Sequence, residues 1–330
     1  GARSPPTPAT ALGVCSDALW ISRPRPSRLQ PLWSMTFDSR RPFLWRDGRS
    51  AGLSNNRLNS SAFRKLARGV FISSDVAVDA LVEARTAVLV AGHGGFTSHH
   101  TAARLYRAVV PDESRLHASV PPGRSRSDNQ DVVVHRSRRV PQTFRGVPIT
   151  SPVDTFLDLA TCLGLVDLVI LGDSLVHRGR TTPEKLIAAA ARATGRGSRL
   201  ARRAASLVRS GVDSPMETRC RMLRVLSGLP ELETDIRFYD PVTHALVRRL
   251  DAGDRATRTA VEYDGKHHVQ RQEQWESDIA RREEFEDEEW RVVTLISKDI
   301  YVTPGETVRR LERVLRKRGM KFGPLKDEWR

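Results

Sequence analysis

The sequence predicts a mixed α/β protein assembled from several modules. Three observations carry that expectation. Capped segments with helical spacing alternate with short apolar runs over residues 76–193. The last third orders as helix, three strands, helix, strand, helix. The length of 330 residues allows two or three domains with cores of their own.

Taken in order, residues 1–34 are rich in Pro, Ser and Arg and lack apolar periodicity, so they read as a disordered segment or an upstream extension, with Met35 the expected natural start. Residues 35–75 read as short helix, turn, short helix, strand: Trp45 to Gly52, Ser54 as N-cap, a helix over Arg57–Arg68, then Gly69-Val70-Phe71-Ile72. That order suits a small winged helix-turn-helix. Asn55, Asn56 and Arg57 would open its second helix, within reach of base edges, while Arg64, Lys65 and Arg68 would meet phosphates. The competing reading is a basic helical cap on the following domain.

Residues 76–210 read as an α/β module followed by a basic linker. Helices are expected over Val76–Val90 and Ser98–Tyr106, and strands over Leu116–Val120, Asp131–His135 and Gly146–Ile149. Further helices follow over Pro152–Cys162, Leu165–His177, Thr182–Ala193 and Ser198–Arg209. The loop Pro121–Asn129 reads as exposed and basic. His93, His99, His100 and His135 fit no metal-ligand spacing and read as capping, turn and surface residues.

Residues 211–330 hold the chemistry. Ser214-Pro215-Met216-Glu217 opens a helix, with Glu217 as the third-position partner of a capping box. Strands over Thr234–Tyr239, Ala245–Ala252 and Thr259–Asp264 follow, then a charged helix over Gln272–Glu288, a strand over Arg291–Ile296 and a helix over Pro304–Lys317. Glu262 and Asp264, two apart on a strand, share a face, and Asp251 on the neighbouring strand would complete an acidic cluster. Carboxylates about 4 Å apart repel by roughly 4 kcal/mol at an effective dielectric near 20, so such a cluster needs protons or a cation. Oxygen ligands alone favour Mg2+ or Mn2+. Taken singly, Asp251 and Asp264 also suit turn roles near strand ends. Glu262, amid Ala260, Val261 and Tyr263, would be costly to bury without a cation or hydrogen-bonding partner.

Composition narrows the partners. Lys and Arg number 54 against 39 Asp and Glu, a formal charge of +15 that suits a polyanion such as DNA or reflects a generally arginine-rich proteome. Cys15, Cys162 and Cys220 lie far apart without zinc spacing and fit a reducing, cytoplasmic setting. Leu163–Leu175, the longest apolar stretch, contains Asp167 and Asp173 and is too short for a bilayer, so no membrane partner is expected.

The segment from Ser214 to about Leu315 resembles the restriction-endonuclease-like PD-(D/E)XK superfamily, within it a bacterial domain family of unknown function similar to very-short-patch-repair endonucleases. Ser214-Pro215-Met216-Glu217, Arg249-Leu250-Asp251, Val261-Glu262-Tyr263-Asp264-Gly265 with His268, then Trp275, Asp278, Arg282 and Trp290-Arg291-Val292-Val293 carry the resemblance. The region from Met35 to about Ala193 resembles AbiEi-type antitoxin modules, through Phe63-Arg64-Lys65-Leu66-Ala67-Arg68-Gly69-Val70 and Ser151-Pro152-Val153-Asp154-Thr155.

The first resemblance implies a restriction-endonuclease-like αβββαβα core and a metal-dependent DNA endonuclease. Asp251 and Glu262 would be the principal metal ligands, Asp264 would stand in the place of the usual lysine, and Glu217 would support the site. His268 would position water or phosphate, and Lys266 would substitute for the missing lysine. The second resemblance implies a DNA-binding antitoxin or regulator with a toxin partner and an inactive nuclease-like domain. Two departures bear on the choice. Ala252-Gly253-Asp254-Arg255 follows Asp251 where apolar strand residues are usual, which is expected to weaken the strand, and Glu289 replaces the usual Gly before Trp290.

Overall fold

A computed structural model describes residues 37–265 and 289–329 of the chain. The expectations for residues 1–34, the helix over Gln272–Glu288, and Lys266 and His268 lie outside the described residues. Among the described residues the chain is mixed α/β, with three sheets, and no helix is long and apolar enough to cross a membrane.

The first module contains β1 (Phe43–Leu44), α1 (Trp45–Ser50), α2 (Asn55–Leu58), β2 (Phe63–Ala67) and β3 (Val70–Ser73), its strands ordered β1-β3-β2. The helix expected over Arg57–Arg68 is not formed. Ser54 Oγ accepts the Arg57 N–H and starts α2, but only one turn follows. Asn59, Ser60 and Ser61 favour local hydrogen bonding over helix, and Gly69, at φ +81°, reverses the chain so that Phe63–Ala67 pairs with Val70–Ser73 as a hairpin. Arg64, Lys65 and Arg68 therefore sit on a hairpin. Its turn is tied to the next module, where Asp131 Oδ2 accepts the Arg68 N–H at 2.7 Å.

That middle module has α3 (Ala80–Ala91), β4 (Phe96–Thr97), α4 (His99–Leu105), β5 (Leu116–Val120), β6 (Val132–Arg136), β7 (Gln142–Phe144) and β8 (Val147–Ile149), with sheet order β6-β5-β4-β8-β7. Helices α5 (Pro152–Leu159), α6 (Leu165–His177), α7 (Pro183–Arg192) and α8 (Ser198–Leu207) follow. Phe156, Leu159, Leu168, Leu171, Ala204 and Ala205 are fully buried in one core with Leu105 and Ile149. Gly172 is required by close packing, because a Cβ there would stand 2.4 Å from Val208 Cγ2.

One buried acid in this module makes stability depend on pH. Asp158 Oδ1 accepts from Arg139 Nε at 3.2 Å, while Oδ2 is buried with no hydrogen-bond partner among the described residues. Burial pushes the Asp158 carboxyl up to about 6, against the pull of Arg139. The unfolded chain ionises this group near 3.8, so unfolding releases its proton between pH 4 and 6. Its contribution to stability is thus fully present below pH 4 and is lost as pH rises through 6, by as much as about 3 kcal/mol. Urea unfolding should show Asp158→Asn gaining on the native chain by roughly 2–3 kcal/mol between pH 4 and pH 7.

The last module opens with α9 (Pro215–Leu226), followed by β9 (Glu233–Tyr239), β10 (Leu246–Asp254), β11 (Thr259–Tyr263), β12 (Arg291–Leu295), α10 (Ser297–Tyr301) and α11 (Pro304–Lys317). Its sheet order is β12-β11-β10-β9, antiparallel from β9 to β11, with β12 parallel to β11. The expected weakening after Asp251 does not occur, since β10 continues through Ala252, Gly253 and Asp254. A Cβ at Gly253 would approach Ile236 Cδ1 and the Thr259 carbonyl at 3.0 Å, so glycine suits a tight crossing here. Asp254 Oδ2 accepts from the Thr257 N–H and hydroxyl, closing the turn into β11. Glu289 adopts φ +59°, a conformation natural to glycine, and Arg258 Nη1 reaches its carboxylate at 3.0 Å.

Helix α9 belongs to two cores. Met222 and Leu226 pack into the middle module, while Cys220 and Leu223 pack with Ala252, Val261, Val293 and Leu295 of the last sheet. Beside them Arg221 Nη2 meets Asp173 Oδ2 of α6 at 2.7 Å, both side chains 2 % exposed. The same oxygen accepts from Thr218 Oγ1, Asp173 Oδ1 accepts the Arg209 N–H, and Arg221 Nη1 donates to the Leu207 carbonyl.

Candidate functional site

Strand β11 sets the site. Val261 and Tyr263 pack toward α9, and alternation therefore turns Glu262 to the Ala260 face, where Ile236, Leu250 and Trp290 are buried. Regular alternation would also put Asp251 on that face. It fails there: Leu250 and Gly253, three apart, both approach Ile236 and the Trp290 side of the sheet. The facing strand is irregular at the same level, with Asp235 at φ +58°. Asp251 turns instead toward α9, and its Oδ2 accepts the Tyr263 N–H at 3.0 Å.

Asp251 and Glu217 consequently line one cavity of about 10 Å³, beside Cys220, Arg221, Arg224 and Tyr263. That is room for a single water or ion. Ser214 Oγ accepts the Glu217 N–H at 3.2 Å, and Glu217 Oε2 accepts the Asp213 N–H at 3.0 Å, so the capping box closes one residue earlier than expected. Burial raises the Glu217 carboxyl above the ordinary range, and the charges of Asp251 and Asp213 add to that rise. The Cys220 thiol is pushed up to about 12 by burial, with Asp251, Glu217 and Asp299 reinforcing it, so it stays protonated and is no nucleophile. Arg224 is fully buried and pulled down to about 10 by burial, and its Nε and Nη1 find no hydrogen-bond partner among the described residues.

The structure thus brings together Asp251 and Glu217. Asp251, Glu262 and Asp264 do not form, among the described residues, a group with oxygens within 4.8 Å of one another. Glu262 stands at the ladder position after the Ala252–Val261 pair, opposite Asp251 along the strand but on the other face, and the Asp264 N–H donates to the Leu295 carbonyl at 2.8 Å. At the other end of the chain, Asn55, Asn56, Arg57, Arg64, Lys65 and Arg68 are all exposed. Asn55 Oδ1 accepts from Trp45 Nε1 at 3.2 Å.

A cluster that sequence spacing missed lies in the middle module. Nitrogens of His99, His117 and His135 come within 4.8 Å of one another. His99 opens α4, and His117 and His135 stand on the parallel neighbours β5 and β6, where Ser119 registers with His135. The interval from His117 to His135 matches no ligand motif. The available signal was strand alternation: polar His117 and Ser119 between apolar Leu116, Ala118 and Val120 mark a polar face that a paired β6 would extend with His135.

Compared with known proteins, the chain matches no family model and shows no similarity to a curated protein.

Proposed function

We propose that the last module is a metal-dependent DNA endonuclease, hydrolysing phosphodiester bonds, and that the basic first module delivers it to DNA. The observation that carries this reading is the Glu217–Asp251 pair on one ion-sized cavity. Glu217 has no ion pair with Lys or Arg among the described residues, and burial, with the charges of Asp251 and Asp213 added, raises its proton affinity. Such a pair suits a proton or a divalent cation. An oxygen donor set fits Mg2+ or Mn2+, with Asp251 and Glu217 holding it. When bound, such an ion polarises a phosphoryl oxygen and makes water more acidic.

The protein's own groups supply the rest. The Tyr263 N–H fixes the Asp251 carboxylate in orientation. Glu217, beside Asp251 on the cavity, is placed to accept a proton from the attacking water. Exposed Arg64, Lys65 and Arg68 on the hairpin, with Arg57 and the side chains of Asn55 and Asn56, offer phosphate and base contacts.

Incubating supercoiled plasmid with the purified full-length protein and Mg2+ or Mn2+ tests the proposal. Nicking or linearisation is expected with metal, and none after EDTA. Cleavage that survives both Asp251→Ala and Glu217→Gln excludes this site. A second reading, a non-enzymatic DNA-binding antitoxin or regulator with a toxin partner, is favoured by one observation: the three carboxylates Asp251, Glu262 and Asp264 do not close on one point. Salt-sensitive DNA binding without cleavage in either metal would select it.

Both readings require phosphate contacts. Fluorescence anisotropy with a labelled duplex should show affinity falling about 10³-fold or more between 50 and 200 mM salt if about six phosphates are contacted. Arg64→Ala and Lys65→Ala should each lower the slope of log K against log salt by about 1.

A further inference from the structure

We infer that the middle module carries a second, chemically distinct site: His99, His117 and His135 bind zinc or another divalent transition metal of similar ligand preference. The sheet creates the pocket. Leu116, Ala118, Val120, Val132 and Val134 fill a core on one face of β5 and β6, which leaves His117, Ser119 and His135 on the other, under the start of α4. Polar contacts fasten that helix start to the sheet. The His117 N–H donates to Thr101 Oγ1 at 2.8 Å, and Ser119 Oγ donates to Ser98 Oγ at 2.8 Å.

The nitrogen geometry fits a metal. His117 Nδ1 and His135 Nε2 stand 3.0 Å apart and share a hydrogen bond, a separation close to the roughly 3.3 Å between ligand nitrogens of tetrahedral zinc with Zn–N bonds near 2.0–2.1 Å, so a metal would take the place of the shared proton. His99 brings a third nitrogen within 4.8 Å of both. Its backbone sits at φ +50°, an unusual conformation for a residue with a side chain, and its ring stacks on that of His135, centroids 3.8 Å and planes 14° apart, so one of the two rings turns out of the stack when both ligate a single ion.

The outer contacts agree. With His117 Nδ1 given to the metal, the proton must lie on Nε2. That atom is buried, has no hydrogen-bond partner among the described residues, and stands 4.0 Å from Glu113 Oε2. A ligating histidine ordinarily turns its second N–H toward such a carboxylate. His99 Nδ1 lies 3.0 Å from Ser98 Oγ, which orients the third ring. His100 adds a fourth imidazole, 5.1 Å from His117 between ring centroids, with a buried and unpartnered Nδ1.

Imidazole nitrogens select zinc, copper, nickel or cobalt over magnesium and manganese, which sets this site apart from the carboxylates of the last module.

The test uses the full-length protein stripped with EDTA and titrated with zinc against a chromophoric chelator, and separately with Co2+ followed by visible absorption. About one equivalent of zinc is expected, with ligand-field bands for Co2+ and no displacement by excess Mg2+. His117→Asn and His135→Asn should remove this binding, Glu113→Gln should weaken it by roughly 10- to 100-fold, and Asp251→Ala should leave it intact. The proposal is overturned if the native chain takes up no stoichiometric zinc and gives no cobalt bands. It is equally overturned if His117→Asn and His135→Asn, folded by circular dichroism, retain zinc at native affinity.

Discussion

Asp173→Ala is expected to cost on the order of 3–5 kcal/mol of folding stability, read as a lowered urea midpoint with an unchanged slope. The substitution strips the Arg221 guanidinium of its close counter-ion, leaving only Glu231 Oε1 at 3.8 Å, where the Arg221 and Asp173 side chains are each 2 % exposed. It also leaves Thr218 Oγ1 and the Arg209 N–H without the carboxylate that accepts from them. A buried charge left alone loses far more than the pair itself contributes, because water cannot return to solvate it. Removing both charges, with Asp173→Leu and Arg221→Met, should therefore recover much of the loss. The double-mutant cycle tests this directly. Equal and additive losses in the two single variants and the double would show that the pair is not coupled.

The second large effect concerns cleavage. Asp251→Asn keeps an oxygen able to accept the Tyr263 N–H but removes the negative charge, so metal-dependent cleavage of plasmid should fall to background and return in part at raised Mn2+. Glu217→Gln retains shape and loses the proton acceptor, which should lower the single-turnover rate by roughly 10²–10⁴-fold, the usual worth of a positioned general base. A flattened dependence of that rate on pH would mark Glu217 as the titrating group. An unchanged rate in Glu217→Gln would limit the residue to its capping contact with the Asp213 N–H.

Much of the fold was legible because the relevant patterns are local and periodic. Leu165–His177 and Pro304–Lys317 show helical spacing and clear starts, and both ends coincide with the observed helices. Strand β4, two residues long, and α10, five residues long, are too short to carry any period. The hairpin at Phe63–Ser73 was hidden by a basic run that reads equally as a helix face; Gly69 and long-range pairing decided it.

The site was legible in its residues and less so in its geometry. The i, i+2 rule places Glu262 and Asp264 together, but Asp251 departs from alternation where Gly253 admits a close crossing by Ile236 and Trp290. No spacing rule contains that event. The histidine cluster is assembled by parallel pairing of β5 and β6 and by the turn into α4, contacts between segments whose adjacency only tertiary structure reveals.

Helix α9 has an architectural consequence. Since Met222 and Leu226 complete one interior while Cys220 and Leu223 complete another, the seam between these two halves passes lengthwise through a single rod of backbone. A cut or an insertion on either side of that rod leaves one half without its closing wall, so evolution can neither shuffle nor discard either half independently without rebuilding the surface the rod now seals.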